Sequence, residues 1–370
     1  TSGHTTISGG DTTRIFNITG GNLNKVTITG IRFANGFADQ DSGGAIIIVG
    51  PSLELNHCIF DSNRAFCNTV DCDADGGAIE NRIGDNSIII NYTTFINNSS
   101  ECFSEDCDAR GAAFFNGGGA TRIVINKSAF ISNSGTCSGI ECEADGAGLS
   151  NGGGGTTIEI VNSTFALNSA QCDGFDCEAT GGGINNGGGG VTTEIHNCTF
   201  DLNSTSCTGE DCDQNGASIS ELGDTTLSNT IFNTLSTEGN CDNFEDITSL
   251  GYNIDNGSTC IDGSAPGDKP NTNPFLDPQG PQDNGGPTPT VALLIGSPAI
   301  DMASPNCPPP DTDQRGFIRP EGLRCDIGAF EGSKRRPTNV PTLSEWGLIS
   351  MAGILGIVGF MVMRRRKVAA

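Results

Sequence analysis

Histidine, tryptophan and positive charge are scarce in this chain: three histidines, one tryptophan, two tyrosines and 19 lysines and arginines among 370 residues. Each scarcity removes a class of function. With twelve basic against 43 acidic side chains, residues 1–332 carry a formal charge of −31, a body that repels nucleic acid and anionic lipid headgroups. No histidine recurs periodically to ligate zinc, and His57 and His196 belong to no recognisable nucleophile arrangement. No Gly-Lys-Ser/Thr follows the glycine runs, so they are turns and not phosphate loops. What remains suits cations or neutral glycans.

Repetition is what the chain has in abundance. Ten cysteines form five pairs with one spacing, Cys67 and Cys72, Cys102 and Cys107, Cys137 and Cys142, Cys172 and Cys177, Cys207 and Cys212, each pair 35 residues after the last. A phenylalanine column (Phe60, Phe95, Phe130, Phe165, Phe200) and an asparagine column (Asn63, Asn98, Asn133, Asn168, Asn203) keep the same step. Such columns mean a solenoid. Helical repeats of similar length are rejected by runs such as Asn151-Gly-Gly-Gly-Gly155, because each glycine inside a helix costs about 1 kcal/mol. Short branched runs such as Ser87-Ile-Ile-Ile90 and Arg122-Ile-Val-Ile125 read as strands facing a core at every second residue.

The expected fold is therefore all-β, a parallel β-helix with 35-residue rungs. Equivalent residues of neighbouring rungs then lie roughly 4.8 Å apart, and like stacks on like. The phenylalanines and the aliphatic column at 55, 90, 125, 160 and 195 fill the interior in layers. At the Asn63 column two readings stand: a ladder of side-chain amides, or plain turn residues.

Sixteen cysteines call for a decision between metal and disulfide. Five pairs cannot be shared two per tetrahedral zinc site without a remainder. Pairing between rungs would strand one cysteine per column, whereas pairing within each loop uses all ten. The expected bridges are thus Cys67–Cys72, Cys102–Cys107, Cys137–Cys142, Cys172–Cys177 and Cys207–Cys212, with Cys241–Cys260 and Cys307–Cys325 in the aperiodic region and Cys58 and Cys198 as buried thiols. An oxidising, extracytoplasmic location follows.

Acids flank the second cysteine of every pair: Asp71 and Asp73, Asp106 and Asp108, Glu141 and Glu143, Asp176 and Glu178, Asp211 and Asp213. Stacked in register, carboxylates about 5 Å apart repel by roughly 0.8 kcal/mol per pair even in water. Calcium, a hard cation with six to eight oxygen ligands, would relieve that repulsion. A hydrated acidic fringe is the alternative.

Beyond the repeats (1–236) come a Pro/Gly-punctuated module at 237–332 expected to cap the core, a basic and polar linker at 333–340, and a segment at 341–370. That last segment holds 18 uncharged residues, Trp346 to Met363, long enough for a membrane-spanning helix, before Arg364-Arg-Arg-Lys367. The positive-inside rule keeps this basic tail cytoplasmic. The first residues, Thr1-Ser-Gly-His4, contain no apolar export segment, so an export signal is expected upstream, with more rungs or a cap as alternatives for the rest.

Two resemblances become nameable here. Val340-Pro-Thr-Leu-Ser-Glu-Trp-Gly-Leu348, followed by its hydrophobic helix and terminal arginines, closely resembles the IPTL-CTERM sorting signal, a relative of the PEP-CTERM signals that exosortase-type membrane peptidases process in Gram-negative bacteria. Ser297-Pro-Ala-Ile-Asp301, Asp313-Gln-Arg-Gly316 and Asp326-Ile-Gly-Ala-Phe330 resemble the choice-of-anchor Q domain of bacterial surface proteins, and the repeats are similar to right-handed parallel β-helix repeats of that group. These resemblances imply a chain held transiently in the inner membrane and then processed near Pro341, Thr342 and Leu343. Trp346, Gly347, Arg364, Arg365 and Arg366 complete the signal, and the product is displayed on the surface or released. They name no ligand; glycans or other surface proteins are the expected partners.

Enzymatic activity starts only from fold analogy, since parallel β-helices often host polysaccharide lyases and glycosidases. A glycosidase needs two carboxylates set apart by their environments, and the acids here are periodic and equivalent. Arg110 interrupts the column of Asp75, Asp145, Thr180 and Asn215 and is expected to pair with stacked acids. The expected role is adhesive or structural in the envelope or matrix, with a polysaccharide lyase or glycoside hydrolase as the alternative.

Overall fold

Alternation with a period of two gives each rung short strands that can pair only with the same segment of the next rung. The computed structural model describes residues 3–332, apart from 22–23, 71, 222, 243–246 and 308. It is a parallel β-solenoid in which Leu55, Ile90, Ile125, Ile160 and Ile195 stand in register through five consecutive turns. Four sheets of nine, eight, seven and eight strands run along its length.

The nine-stranded sheet carries the phenylalanines. Phe33, Phe60, Phe95, Phe130, Phe165, Phe200 and Phe232 are fully buried. Their rings stack with centroids 4.5–5.1 Å apart, so the column runs one turn further at each end than its 35-residue repeat indicates. Each ring withdrawn from water stabilises the fold by roughly 1.5–3 kcal/mol.

The Asn63 column is a ladder. The side-chain amides of Asn63, Asn98, Asn133 and Asn168 each donate at 2.9 Å to the carbonyl oxygen of the next asparagine, and the same oxygens accept main-chain N–H groups. All five asparagines are buried, so every polar atom needs such a partner. A second ladder runs through Asn81, Asn116, Asn151 and Asn186 at 2.6–2.7 Å. Asn116, Asn151 and Asn186 open the glycine runs, which as turns explain only the glycines; Asn116 also donates to the Gly118 carbonyl inside its own run. The turn before the inner strand recurs at Gly76, Gly111, Gly146, Gly181 and Gly216, with φ between 50° and 62°. At Gly111 an added Cβ would also lie 2.5 Å from the Phe114 carbonyl oxygen, so glycine is required twice over.

Residues 237–332 do two jobs. Cys241, Ile247, Cys260 and Ile261 complete the interior, and strands Ile247–Ser249 and Ile254–Asp255 extend two of the sheets, so the solenoid continues past residue 236. The segment 276–332 packs outside that interior, in a separate apolar cluster with Ile231 and Ile254. It turns back along the outside of the phenylalanine sheet, where Ser304 meets Asn229, Ala329 meets Thr199, Gln314 meets Thr164 and Thr288 meets Lys127, one turn after another. Outward positions there are Ala129, Thr164, Thr199 and Ile231, uncharged and buried, and they need this cover. Arg319 anchors it: fully buried, it reaches Glu331 Oε2 at 3.0 Å and the carbonyls of Asp326 and Gly328 at 2.8 and 2.6 Å.

Candidate functional site

The cysteine loops stack into an arm on the eight-stranded sheet that does not carry the Leu55 column. Strands Asp106–Arg110, Ser134–Asp145, Ser169–Thr180 and Ser204–Asn215 pair in parallel, so Cys107, Cys142, Cys177 and Cys212 lie over one another, as do Cys102, Cys137, Cys172 and Cys207. Small residues let the arm fold flat, because Ala109, Ala144, Ala170 and Ala179 pack with the sulfurs in a core of their own.

Cys67–Cys72, Cys102–Cys107 and Cys207–Cys212 are closed, as are Cys241–Cys260 and Cys307–Cys325. Cys137, Cys142, Cys172 and Cys177 are thiols, which departs from closure of every loop. The reason lies in the merging of the two sulfur columns. Cys142 Sγ sits 2.9 Å from Cys172 Sγ in the next rung, and Cys177 Sγ lies 3.1 Å from Cys207 Sγ. Cys137, Cys142 and Cys172 bring three sulfurs within 4.8 Å of one another, a set that a soft cation would accept only while reduced. Cys58 and Cys198 are buried thiols in the main core, and burial pushes Cys198 up to about 12.

The flanking acids form two rows in register, Asp106, Glu141, Asp176 and Asp211 in one and Asp108, Glu143, Glu178 and Asp213 in the other. Asp73 joins the second row through its contact with the Asp108 main-chain amide; Asp71 lies outside the described residues. Repulsion is visible in the acids' proton affinity. Burial, with Glu143, Asp73 and Asp106 adding to it against Arg110, pushes Asp108 up to about 6. Burial, then Glu143 and Asp213, raises Glu178. Asp145, at the base of the arm, is pushed up to about 7 by burial and by Glu143 and Glu178, against the hydrogen bond from Thr180. Arg110 neutralises one end: its guanidinium meets Asp75 at 2.9 Å through two nitrogens, Asp73 at 2.9 Å and Asp108 at 3.0 Å. Among the described residues no three carboxylates bring oxygens within 4.8 Å of one another, so a cation here would have to be shared between rungs or completed by water.

Pro341, Thr342, Leu343, Trp346, Gly347, Arg364, Arg365 and Arg366 lie outside the described residues. No helix among the described residues is long and apolar enough to cross a membrane, and the span expected at 346–363 falls outside them too.

A family model described as the IPTL-CTERM motif matches residues 338–366. No curated protein and no solved structure matches the chain. The chain thus joins a C-terminal sorting motif, which marks it for export and surface targeting by a processing enzyme, to a disulfide-bearing parallel β-solenoid.

Proposed function

We propose that this is an exported bacterial β-helix protein, anchored at the surface or released, with an adhesive or envelope and matrix role. The observation that carries the reading is the sorting motif at 338–366 attached to a long, acidic solenoid whose acids recur in register from rung to rung. Repetition of equivalent groups suits avidity along an extended partner better than chemistry at one point. The segment from Trp346 to Met363 holds the precursor in the inner membrane, and a membrane peptidase of the exosortase type cuts near Pro341 to Leu343. Calcium shared between rungs neutralises the acidic rows; their register supports this, and the raised proton affinity of Asp108 and Glu178, led by burial, includes repulsion from Glu143 and other neighbouring acids.

A glycan array run beside a polysaccharide-degradation screen tests the role. Binding without turnover supports adhesion. Release of shortened or unsaturated products would replace it with a lyase or glycoside hydrolase.

A further inference from the structure

One turn column changes residue type along its length. Gly30, His57, Tyr92, Lys127, Asn162, Asn197 and Asn229 each donate the main-chain N–H to a carbonyl one rung on, at 3.0–3.3 Å. His57, Tyr92 and Lys127 adopt φ of 52°, 50° and 50°, as Asn162, Asn197 and Asn229 do at 48°, 53° and 49°. Asparagine enters this left-handed region readily, whereas bulky side chains do so at a cost in backbone strain. His57, Tyr92 and Lys127 thus break the run of glycine and asparagine, and of the three Tyr92 and Lys127 are the bulky residues this region disfavours.

Those three side chains build a ledge. The His57 and Tyr92 rings stack at 4.7 Å and 4°, and the Lys127 ammonium lies 5.3 Å from the Tyr92 centroid. The other face of the imidazole is open, because one rung below stands Gly30, where an added Cβ would meet nothing within 4 Å. Beside this ledge lies a cavity of about 710 Å³, closed on its far side by the returning segment. Ile59, Ile96 and Pro287 supply apolar walls, and Asp283 and Thr288 supply polar groups. His4 also lines it, its Nε2 3.0 Å from the His57 carbonyl oxygen, so two of the chain's three histidines and one of its two tyrosines converge here.

We propose that this groove binds a neutral saccharide, with a C–H face of one sugar ring on His57 and hydroxyls toward Asp283. A mostly apolar cavity with few polar groups fixes such an amphipathic ring. The net −31 of residues 1–332 and the carboxylate of Asp283 disfavour anionic sugars. The inference rests on the proposed surface role and locates its ligand.

Three histidines make the test direct. In proton NMR of the full chain, the imidazole C2–H signals are titrated with cellotetraose, laminaritetraose and mannotetraose. At least one probe should shift His4 and His57 saturably and leave His196 unmoved. His57→Asn and Tyr92→Asn, which install the residue the column uses elsewhere, should weaken binding at least tenfold without lowering the melting temperature. Three silent titrations, shifts that survive both substitutions, or lost binding accompanied by a lower melting temperature would overturn the groove. Glycan binding by the intact protein that ignores both substitutions leaves the surface role standing and this site wrong; absence of all glycan binding removes both.

Discussion

The Thr164 hydroxyl donates a 2.6 Å hydrogen bond to the side-chain carbonyl of Gln314, 150 positions later in the chain and fully buried against the flank of the solenoid. The Gln314 amide group in turn donates to the Ser128 carbonyl at 3.2 Å, the Thr288 hydroxyl at 3.0 Å and the Pro289 carbonyl at 2.9 Å. One side chain thus ties the returning segment to two turns.

Gln314→Ala removes all four bonds, leaving the Thr164 hydroxyl without its acceptor and the carbonyls of Ser128 and Pro289 without their donor, at a cost of about 1–3 kcal/mol for each group left unsatisfied. Hydrogen exchange should quicken through 283–332, while amides of the phenylalanine strands stay protected. Equal quickening in both regions would mean that the returning segment and the solenoid open as one unit.

How much of this was legible follows from periodicity. Phe95, Asn98 and Cys102 repeat identically at 35 residues, and stacking in register translates that repeat directly into ring and amide ladders. The Asn116 ladder has the same period but hides behind glycines whose turn chemistry is the stronger signal. Gln314 with Thr164 leaves no pattern, since a contact across 150 positions occurs once and nothing repeats it. The His57 ledge escapes for a related reason: a column of Gly, His, Tyr, Lys and Asn is periodic in backbone conformation and not in residue type.

The cysteine arm makes a second prediction. Under oxidising conditions, parity places the remaining links within loops, Cys137–Cys142 and Cys172–Cys177, since a Cys142–Cys172 bridge would strand both outer partners. Peptide mapping of the non-reduced chain should recover these beside the five closed bridges, with Cys58 and Cys198 alkylated only after denaturation. Peptides joining Cys142 to Cys172 would contradict it.

Stability should fall as pH rises through the weakly acidic range. Asp145 is pushed up to about 7 in the folded chain against 3.8, so the folded state holds the proton longer and the penalty, absent below pH 3.8, grows until about pH 7. Asp145→Asn, matching Asn215 in the same column, should therefore raise the melting temperature by a few degrees at pH 8, about 1–2 kcal/mol, and leave it nearly unchanged at pH 4. An equal shift at both pH values would assign the effect to packing.

Calcium gives the fourth. A ligand that prefers the folded arm stabilises it by mass action, so millimolar calcium should raise the melting temperature more than sodium chloride of equal ionic strength. Equal shifts, with no calcium heat in calorimetry, would leave the two acidic rows as a hydrated fringe.

Surface targeting is the central claim, and mass spectrometry of the protein recovered from the cell surface or the medium tests it most directly. The account predicts peptides from the solenoid and the returning segment up to the region of Pro341–Leu343, and none from 346–370. An intact C-terminus on surface or released protein, or solenoid peptides confined to the cytoplasm, would contradict it.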